Sequence, residues 1–328
     1  KTKLEIQMLF ISAVIPNGLE IAEWLGSGES SYFESNWKPT KLRQGIYFWD
    51  KDWLGRIRYF DEKVEILTNI KREKKQAHNQ KKPKYYPETK YEIAIELAIK
   101  YSNDTPTIIF TSVRRDVNNL AKLYSNKLAA SNFVVSEKNY TNREILANYI
   151  EKDLGKDFPL ANYVRQGFAY HHGHMPDNIR FEIEDAFKKG YLSLLIATPT
   201  LAQGVNLPVK LMLVANLNRG SELPFLVRDF RNIAGRSGRA LFDTEGQVIL
   251  ILKTQSESYI QDHYKYLKNC EMEPVVSTLL KFYKEKYSNH FGINLASYVD
   301  GRTVLDDFPH EDNPSMIEEI EFQTQLLS

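Results

Sequence analysis

The stretch LSLLIATPTLAQGVNLP, residues 192–208, joins a short apolar run to a polar segment that contains glycine. A continuous apolar run of this length is typical of a strand buried on both faces of a parallel sheet. In open parallel sheets, ligands bind beyond the carboxyl ends of the strands, where loops present backbone N–H groups. Thr198 and Thr200 can donate hydrogen bonds to a phosphodiester, and Gly204 allows close approach to the backbone. The stretch therefore predicts a parallel strand followed by a ligand-binding loop.

The same pattern continues on both sides, because apolar runs alternate with segments of helical spacing from Tyr91 to Lys253. Such alternation favours an α/β fold, a parallel sheet with helices on both faces. Helices are predicted between the strands, and residues 255–328 are predicted to form a mostly helical extension. The predicted strands are PTIIFTS (106–112), GFAYHHG (167–173), LSLLIAT (192–198), KLMLVANL (210–217) and GQVILIL (246–252).

A second glycine-bearing segment, NIAGRSGR, spans residues 232–239. Arg236 and Arg239 are three residues apart, a spacing that places both side chains on one face of a helix. A guanidinium keeps its charge and matches phosphate oxygens with a forked set of donors. Two guanidiniums directed at one point suit the charge that develops on a transferring phosphoryl group. An exposed turn with solvated arginines is the alternative interpretation of this segment taken alone.

The composition is that of an ordinary globular protein of 328 residues, with 42% hydrophobic and 26% charged residues. Because the net charge is only +1, any affinity for nucleic acid must come from a local basic surface. The single cysteine, Cys270, excludes an internal disulfide framework and a cysteine-rich zinc site, and it favours a reducing, cytoplasmic setting. No apolar run reaches the roughly 18 residues that a membrane span needs, so no membrane partner is expected.

The two glycine-bearing segments closely resemble motifs V and VI of superfamily-two DExH/DEAD-box helicases, in the Ski-like branch. WKPTKLRQG (37–45) is similar to the segment that leaves the first RecA-like domain of these enzymes. The likeness runs from Leu9 to Leu252 and implies that the predicted sheet is the second RecA-like helicase domain. Further segments resemble other family motifs in the expected order, namely SAVIPNGLEIAEWLG (12–26, motif III), PTIIFTSVRRDVNNLA (106–121, motif IV) and YHHGHMPDNIRFEIEDAFKKGYLSLLIAT (170–198, motif IVa into motif V).

The resemblance implies a role for each residue that matches a family motif. Arg236 and Arg239 would be arginine fingers that reach the γ-phosphate of ATP, and Ser12 and Ala13 would couple the two domains. The residues implied to contact the nucleotide are Gly204, Asn206 and Asn232, the last of which stands where the family usually has glutamine. The residues implied to bind one nucleic-acid strand are Ser112, Arg114, His172, Gly173, Thr198 and Thr200.

The family's G-x-G-K-T phosphate loop and D-E-x-H box do not occur in this sequence. In the family both precede motif III, so we expect them in a first RecA-like domain upstream. That domain would make most of the contacts to ATP and Mg²⁺. The predicted function is therefore part of an ATP-dependent helicase or translocase, which pairs with that first domain and acts on DNA or RNA. On this interpretation the chain alone does not hydrolyse ATP.

Four segments are predicted along the chain. Residues 1–45 are the tail of the first RecA-like domain, 46–90 a linker, 91–254 the second RecA-like helicase domain, and 255–328 the helical extension. The basic run at 71–84 favours an exposed linker over a dedicated binding patch, and the tyrosines that follow it would either stack on bases or anchor the linker. The hypothesis for NLNRGSELPF (216–225), between motifs V and VI, is a strand-separating hairpin.

Two other functions are compatible with parts of this sequence. A RecA-like module could bind nucleic acid as a scaffold or regulator without motor activity. An unrelated nucleotide-binding enzyme would need a dinucleotide glycine fingerprint after an early strand, and the sequence lacks one. His171, His172 and His174 have no partnering cysteine or nearby carboxylate pattern, so they favour a phosphate contact or a plain surface position over a metal site. The sequence does not choose between DNA and RNA.

Overall fold

The structure, a computed structural model, describes Leu9 and residues 17–24, 32–35, 41–59, 62–75, 84–103, 105–131, 137–198, 209–216 and 245–269. The chain divides into two compact units. The larger contains Lys1–Val14 and Ser35–Glu273, and the smaller contains Ile15–Glu34 and Pro274–Ser328. In the smaller unit the structure describes one helix, α1 (Gly18–Trp24), which lies inside the segment 12–26 that resembles motif III.

The larger unit contains an eight-stranded, mostly parallel sheet. Six strands run parallel in the order β1, β10, β9, β6, β8, β7, and β2 and β3 extend the β1 edge in antiparallel fashion. β4 and β5 form a separate antiparallel pair. The strands are β1 (Lys41–Trp49), β2 (Leu54–Tyr59), β3 (Val64–Lys71), β4 (Glu73–Lys75), β5 (Lys84–Tyr86), β6 (Thr107–Thr111), β7 (Phe168–His171), β8 (Leu194–Ala197), β9 (Leu211–Asn216) and β10 (Glu245–Ile251).

Helices connect the parallel strands. The chain passes from β6 to β7 in one direction along the sheet and returns from β7 to β8 in the other. Because such crossovers are right-handed, the helices of these two connections, α3 and α6, lie on opposite faces. The predicted α/β, RecA-like sheet with helices on both faces is confirmed. The helices of this unit are α2 (Lys90–Tyr101), α3 (Arg114–Ala130), α4 (Tyr140–Leu154), α5 (Pro159–Arg165), α6 (Asp177–Lys188) and α7 (Glu257–Asn269).

The hydrophobic core lies against the central strands. β6 and β8 are buried along their whole length, as expected for strands covered by helices on both sides. The ring of Phe168 on β7 lies 4.8 Å from that of Tyr124 on α3 and 5.0 Å from that of Tyr163 on α5. Each large apolar side chain buried in this way contributes about 1.5–3 kcal/mol. The core therefore fixes the positions of the strands whose ends carry the predicted site.

The structure differs from the linker predicted for residues 46–90. β1 pairs in parallel with β10 over Lys41–Tyr47, so a boundary after residue 45 falls inside a strand of the sheet. β2 and β3 continue the same sheet, and Trp49 is only 1% exposed. Two features hid these strands in the sequence. The lysine-rich composition of 71–84 suggested an exposed linker, and an antiparallel edge hairpin lacks the strand–helix alternation that marks the rest of the sheet. The division into four segments otherwise stays a prediction.

Two further sequence predictions concern the ends of the chain. α7 agrees with a helix at the start of the predicted extension, and residues 270–328 lie outside the described residues. None of the helices that the structure describes is both long enough and apolar enough to cross a membrane. The cytoplasmic setting stays a prediction.

Candidate nucleic-acid interface

The predicted strand-binding residues follow three neighbouring strands of the sheet. Ser112 and Arg114 come after β6, His172 and Gly173 after β7, and Thr198 after β8. Since β6, β8 and β7 are adjacent and parallel, their carboxyl ends meet at one edge of the sheet. The fold therefore brings these five residues, which lie between Ser112 and Thr198 in the sequence, to the same edge.

One backbone hydrogen bond joins the end of β7 to the loop after β8, and another closes a turn within the loop after β7. The Thr198 N–H donates to the His171 carbonyl oxygen at 3.2 Å, and the Met175 N–H donates to the His172 carbonyl oxygen at 3.1 Å. The side chains of His172 and Thr198 are each 5% exposed, whereas Gly173 is exposed. At this edge, Gly173 therefore offers an accessible backbone, and the two flanking side chains support the loops from within.

Arg114 is an exposed cation at this edge. It begins α3, and its charge acts on His172: burial lowers the pKa of His172 most, and the Arg114 guanidinium lowers it further. The His172 ring also stacks on Tyr170 at 5.4 Å between centroids. Because His172 is held neutral beside Arg114, the arginine supplies the positive charge here. Within the described part of the chain, Arg114 forms no salt bridge.

His171 has a different role from its neighbour. Its Nε2 lies 2.7 Å from Glu184 Oε1 of α6, and both side chains are buried. Burial lowers the pKa of His171, and Glu184 opposes that shift in part. This pair links β7 to α6 beneath the site, so His171 is neither a loop contact nor a surface histidine as the sequence favoured. Among the described residues, no group of three or more potential ligands could hold a metal ion.

A contact that sequence reasoning missed fixes the start of α3. The Tyr91 hydroxyl, in the first turn of α2, donates a short hydrogen bond to Asp116 Oδ2. Burial and the Asp116 carboxylate raise the pKa of Tyr91, and Thr111 and Asn216 lie beside the phenol oxygen. The cluster therefore joins α2 and α3 at the ends of β6 and β9, two residues from Arg114. Asp116 lies within the motif IV segment, but its partner is 25 residues away, so only the fold reveals the pair.

Several predicted residues lie outside the described residues, and their roles stay predictions. They are Ser12, Ala13, Thr200, Gly204, Asn206, Asn232, Arg236 and Arg239. The predicted hairpin 216–225 also lies outside the described residues, except for Asn216.

One family model matches part of the chain that carries this edge. Residues 145–241 match the model of the helicase conserved C-terminal domain. The matched residues include β7, α6, β8 and β9, and also the glycine-bearing segment 232–239. The Ski-like branch stays a prediction.

Curated relatives resemble the chain over most of its length. An ATP-dependent DNA helicase Hel308 of Pyrobaculum calidifontis is 28% identical over 269 residues, which is 80% of this chain and 34% of the relative. The Hel308 of Pyrococcus horikoshii is 29% identical over 79% of this chain and 32% of the relative. The Hachiman protein HamB of Bacillus cereus is 26% identical over 92% of this chain and 28% of the relative. The chain thus spans about a third of the length of these relatives.

Proposed function

We propose that this chain is part of an ATP-dependent helicase or translocase, and that the carboxyl edge of its sheet binds one nucleic-acid strand. The observation that carries the proposal is the match of residues 145–241 to the helicase C-terminal domain, which includes the loops after β7 and β8. Those loops lie at the edge that also presents Arg114. This is the edge at which parallel sheets bind ligands.

The proposed strand contacts follow from exposure and charge. Arg114 would form a charge-assisted bond to a phosphate, and Gly173 would allow the strand to approach the backbone. Ser112, which is half-buried, would add a hydroxyl or amide contact. Since phosphate contacts carry no sequence information directly, the edge would grip a strand without selecting its sequence. The relatives named as DNA helicases favour DNA as that strand.

The proposed role of ATP rests on the family resemblance. Arg236 and Arg239 would act as arginine fingers, with Gly204, Asn206 and Asn232 beside the nucleotide. When bound with Mg²⁺, ATP supplies the phosphoryl transfer that drives the motor. In this proposal, the binding of most of the ATP and of Mg²⁺ is assigned to a first RecA-like domain.

Strand-stimulated ATP hydrolysis tests this function. We expect the intact protein to hydrolyse ATP slowly alone and faster when a single-stranded DNA oligonucleotide is added, as measured by phosphate release. DNA binding without hydrolysis would instead support the non-motor scaffold. An intact protein that neither binds DNA nor hydrolyses ATP would refute the proposal.

Replacing Arg114 with glutamine tests the strand contact. One lost phosphate contact is expected to lower the slope of log Kd against log salt by about 0.7 for a single strand. Fluorescence anisotropy of a labelled oligonucleotide over a series of salt concentrations measures this slope. Arg115→Gln is the matched control, because Arg115 is also exposed on the first turn of α3, yet only Arg114 acts on the pKa of His172. Equal effects of the two substitutions would contradict a specific contact at Arg114.

A further inference from the structure

A groove of about 390 Å³ lies beyond the carboxyl end of β10. Two lysines line it, Lys90 at the start of α2 and Lys253 just after β10, together with the hydroxyls of Thr254, Ser256 and Ser258. The groove therefore collects positive charge and hydroxyl donors from two separate parts of the chain. Neither lysine belongs to a motif that the family resemblance singles out.

The loop that carries this groove is fixed to the sheet. The Leu252 N–H donates to the Tyr47 carbonyl oxygen at 2.9 Å, and the Trp49 N–H donates to the Thr254 carbonyl oxygen at 2.9 Å. Gln255 Nε2 then donates to the Asp50 carbonyl oxygen at 2.6 Å. The loop thus continues the pairing of β10 with β1 beyond the end of the strand. A groove built on such a loop is preorganised, which lowers the cost of ordering it around a ligand.

The charges in the groove are not balanced internally. Lys90 is half-buried, and desolvation lowers its pKa. Within the described part of the chain, neither Lys90 nor Lys253 forms a salt bridge. Glu257, at the start of α7, is bound instead to Arg58 of β2, with 2.5 Å between Oε1 and Nη1. Among the described residues that line the groove, Asp262 is the one acid, so the two lysines outweigh it.

The hydroxyl groups of the groove can donate hydrogen bonds to an anion, which the two lysines favour. Ser256 Oγ and Ser258 Oγ lie 3.0 Å apart at the start of α7, and Thr254 Oγ1 accepts a hydrogen bond from the Ser256 N–H at 3.0 Å. The hydroxyl protons of Thr254 and Ser258 can therefore turn outward to a ligand oxygen. The amino end of α7 adds a partial positive charge to the same place. A phosphate group would complete this set and offset the desolvation of Lys90.

We infer that this groove binds a backbone phosphate of the nucleic-acid strand, beyond the contacts at the ends of β6, β8 and β7. The inference rests on the proposed function. β10 is two strands away from β6, which corresponds to about 10 Å along the edge at about 4.8 Å per strand. One strand lying along this edge would therefore reach both sites. Tyr259 lines the groove and is 45% exposed; its ring lies 4.2 Å from that of His263, and the exposed part of the ring can stack on a base.

The test compares Lys90→Gln and Lys253→Gln with Lys188→Gln in the full-length protein. Lys188 is an exposed lysine at the end of α6, at the opposite edge of the sheet, so it controls for the loss of one positive charge. For a single-stranded DNA oligonucleotide, each groove substitution is expected to raise Kd about tenfold and to lower the salt slope by about 0.7. Lys253 is exposed, so Lys253→Gln keeps the test valid if Lys90→Gln unfolds the protein.

Three results would overturn the inference, and they separate it from the proposed function. If the groove variants match Lys188→Gln while the wild type binds DNA, the groove fails and the proposed function stands. If the wild type does not bind DNA, both fail. If the groove variants change the KM for ATP and leave DNA binding unaltered, the groove holds a nucleotide phosphate, and the strand assignment is wrong.

Discussion

Replacing Arg239 with alanine is expected to lower strand-stimulated ATP hydrolysis by a factor of about 10³ or more, the magnitude found for arginine fingers. The reason is that a guanidinium directed at the γ-phosphate stabilises charge that develops only in the transition state. DNA binding should change by no more than a few-fold, because the proposed strand contacts lie on other residues. Phosphate release and fluorescence anisotropy, measured on the same full-length protein, separate the two effects.

Two further variants sharpen this experiment. Arg239→Lys keeps the positive charge but loses the forked donors, so it should recover little of the lost rate. Arg231→Ala removes an arginine just outside the segment 232–239 and should leave most of the hydrolysis. Full hydrolysis by Arg239→Ala, or an equal loss in Arg231→Ala, would contradict the finger assignment.

Replacing Trp49 with alanine is expected to lower the free energy of unfolding by about 3–5 kcal/mol, as for other large aromatic side chains removed from a core. Trp49 is 1% exposed at the end of β1, and its ring lies 5.3 Å from that of Tyr47 in an edge-to-face contact. Within the described residues its Nε1 has no hydrogen-bond partner, so the loss is one of packing. Urea unfolding followed by circular dichroism measures it without relying on tryptophan fluorescence.

Trp53→Ala is the matched control, four residues further along the chain. Trp53 is 38% exposed and contacts Arg72, whose guanidinium carbon lies 4.3 Å from the ring centroid. Loss of such an exposed contact is expected to cost only about 0.5–1 kcal/mol. If the two substitutions cost the same, residues 46–90 behave as the predicted linker, and the packing of β1 into the sheet is not what stabilises the domain.

Much of the fold could be predicted from the sequence because buried parallel strands appear as apolar runs between helical segments. β6, β8 and β9 lie within the predicted strands, and α3 and α6 within the predicted helices. Parallel strand order also explains why Ser112, His172 and Thr198 meet, since each follows a strand of the same sheet. The family resemblance named these residues, and the fold shows which of them are accessible.

Other features could not be predicted, because they depend on partners far away in the sequence. β1 and β10 are separated by most of the chain, and no local pattern pairs them. The same holds for the Tyr91–Asp116 hydrogen bond and for the His171–Glu184 pair. The sequence favoured a surface position for His171, whereas the fold buries it beside Glu184. The residue types indicated where phosphate could bind, but only the structure shows that Arg114 is exposed while His172 and Thr198 are buried.

Lys90 and Tyr91 are consecutive residues at the start of α2, yet they face different neighbours. Tyr91 is hydrogen-bonded to Asp116 near Arg114, and Lys90 lines the groove beside Lys253. Consecutive residues of a helix are only about 1.5 Å apart along its axis, so the start of α2 contributes both to the Tyr91–Asp116 contact and to the groove. We therefore expect substitutions at Lys90 and at Tyr91 to be non-additive in their effects on strand binding, since the two residues are immediate neighbours.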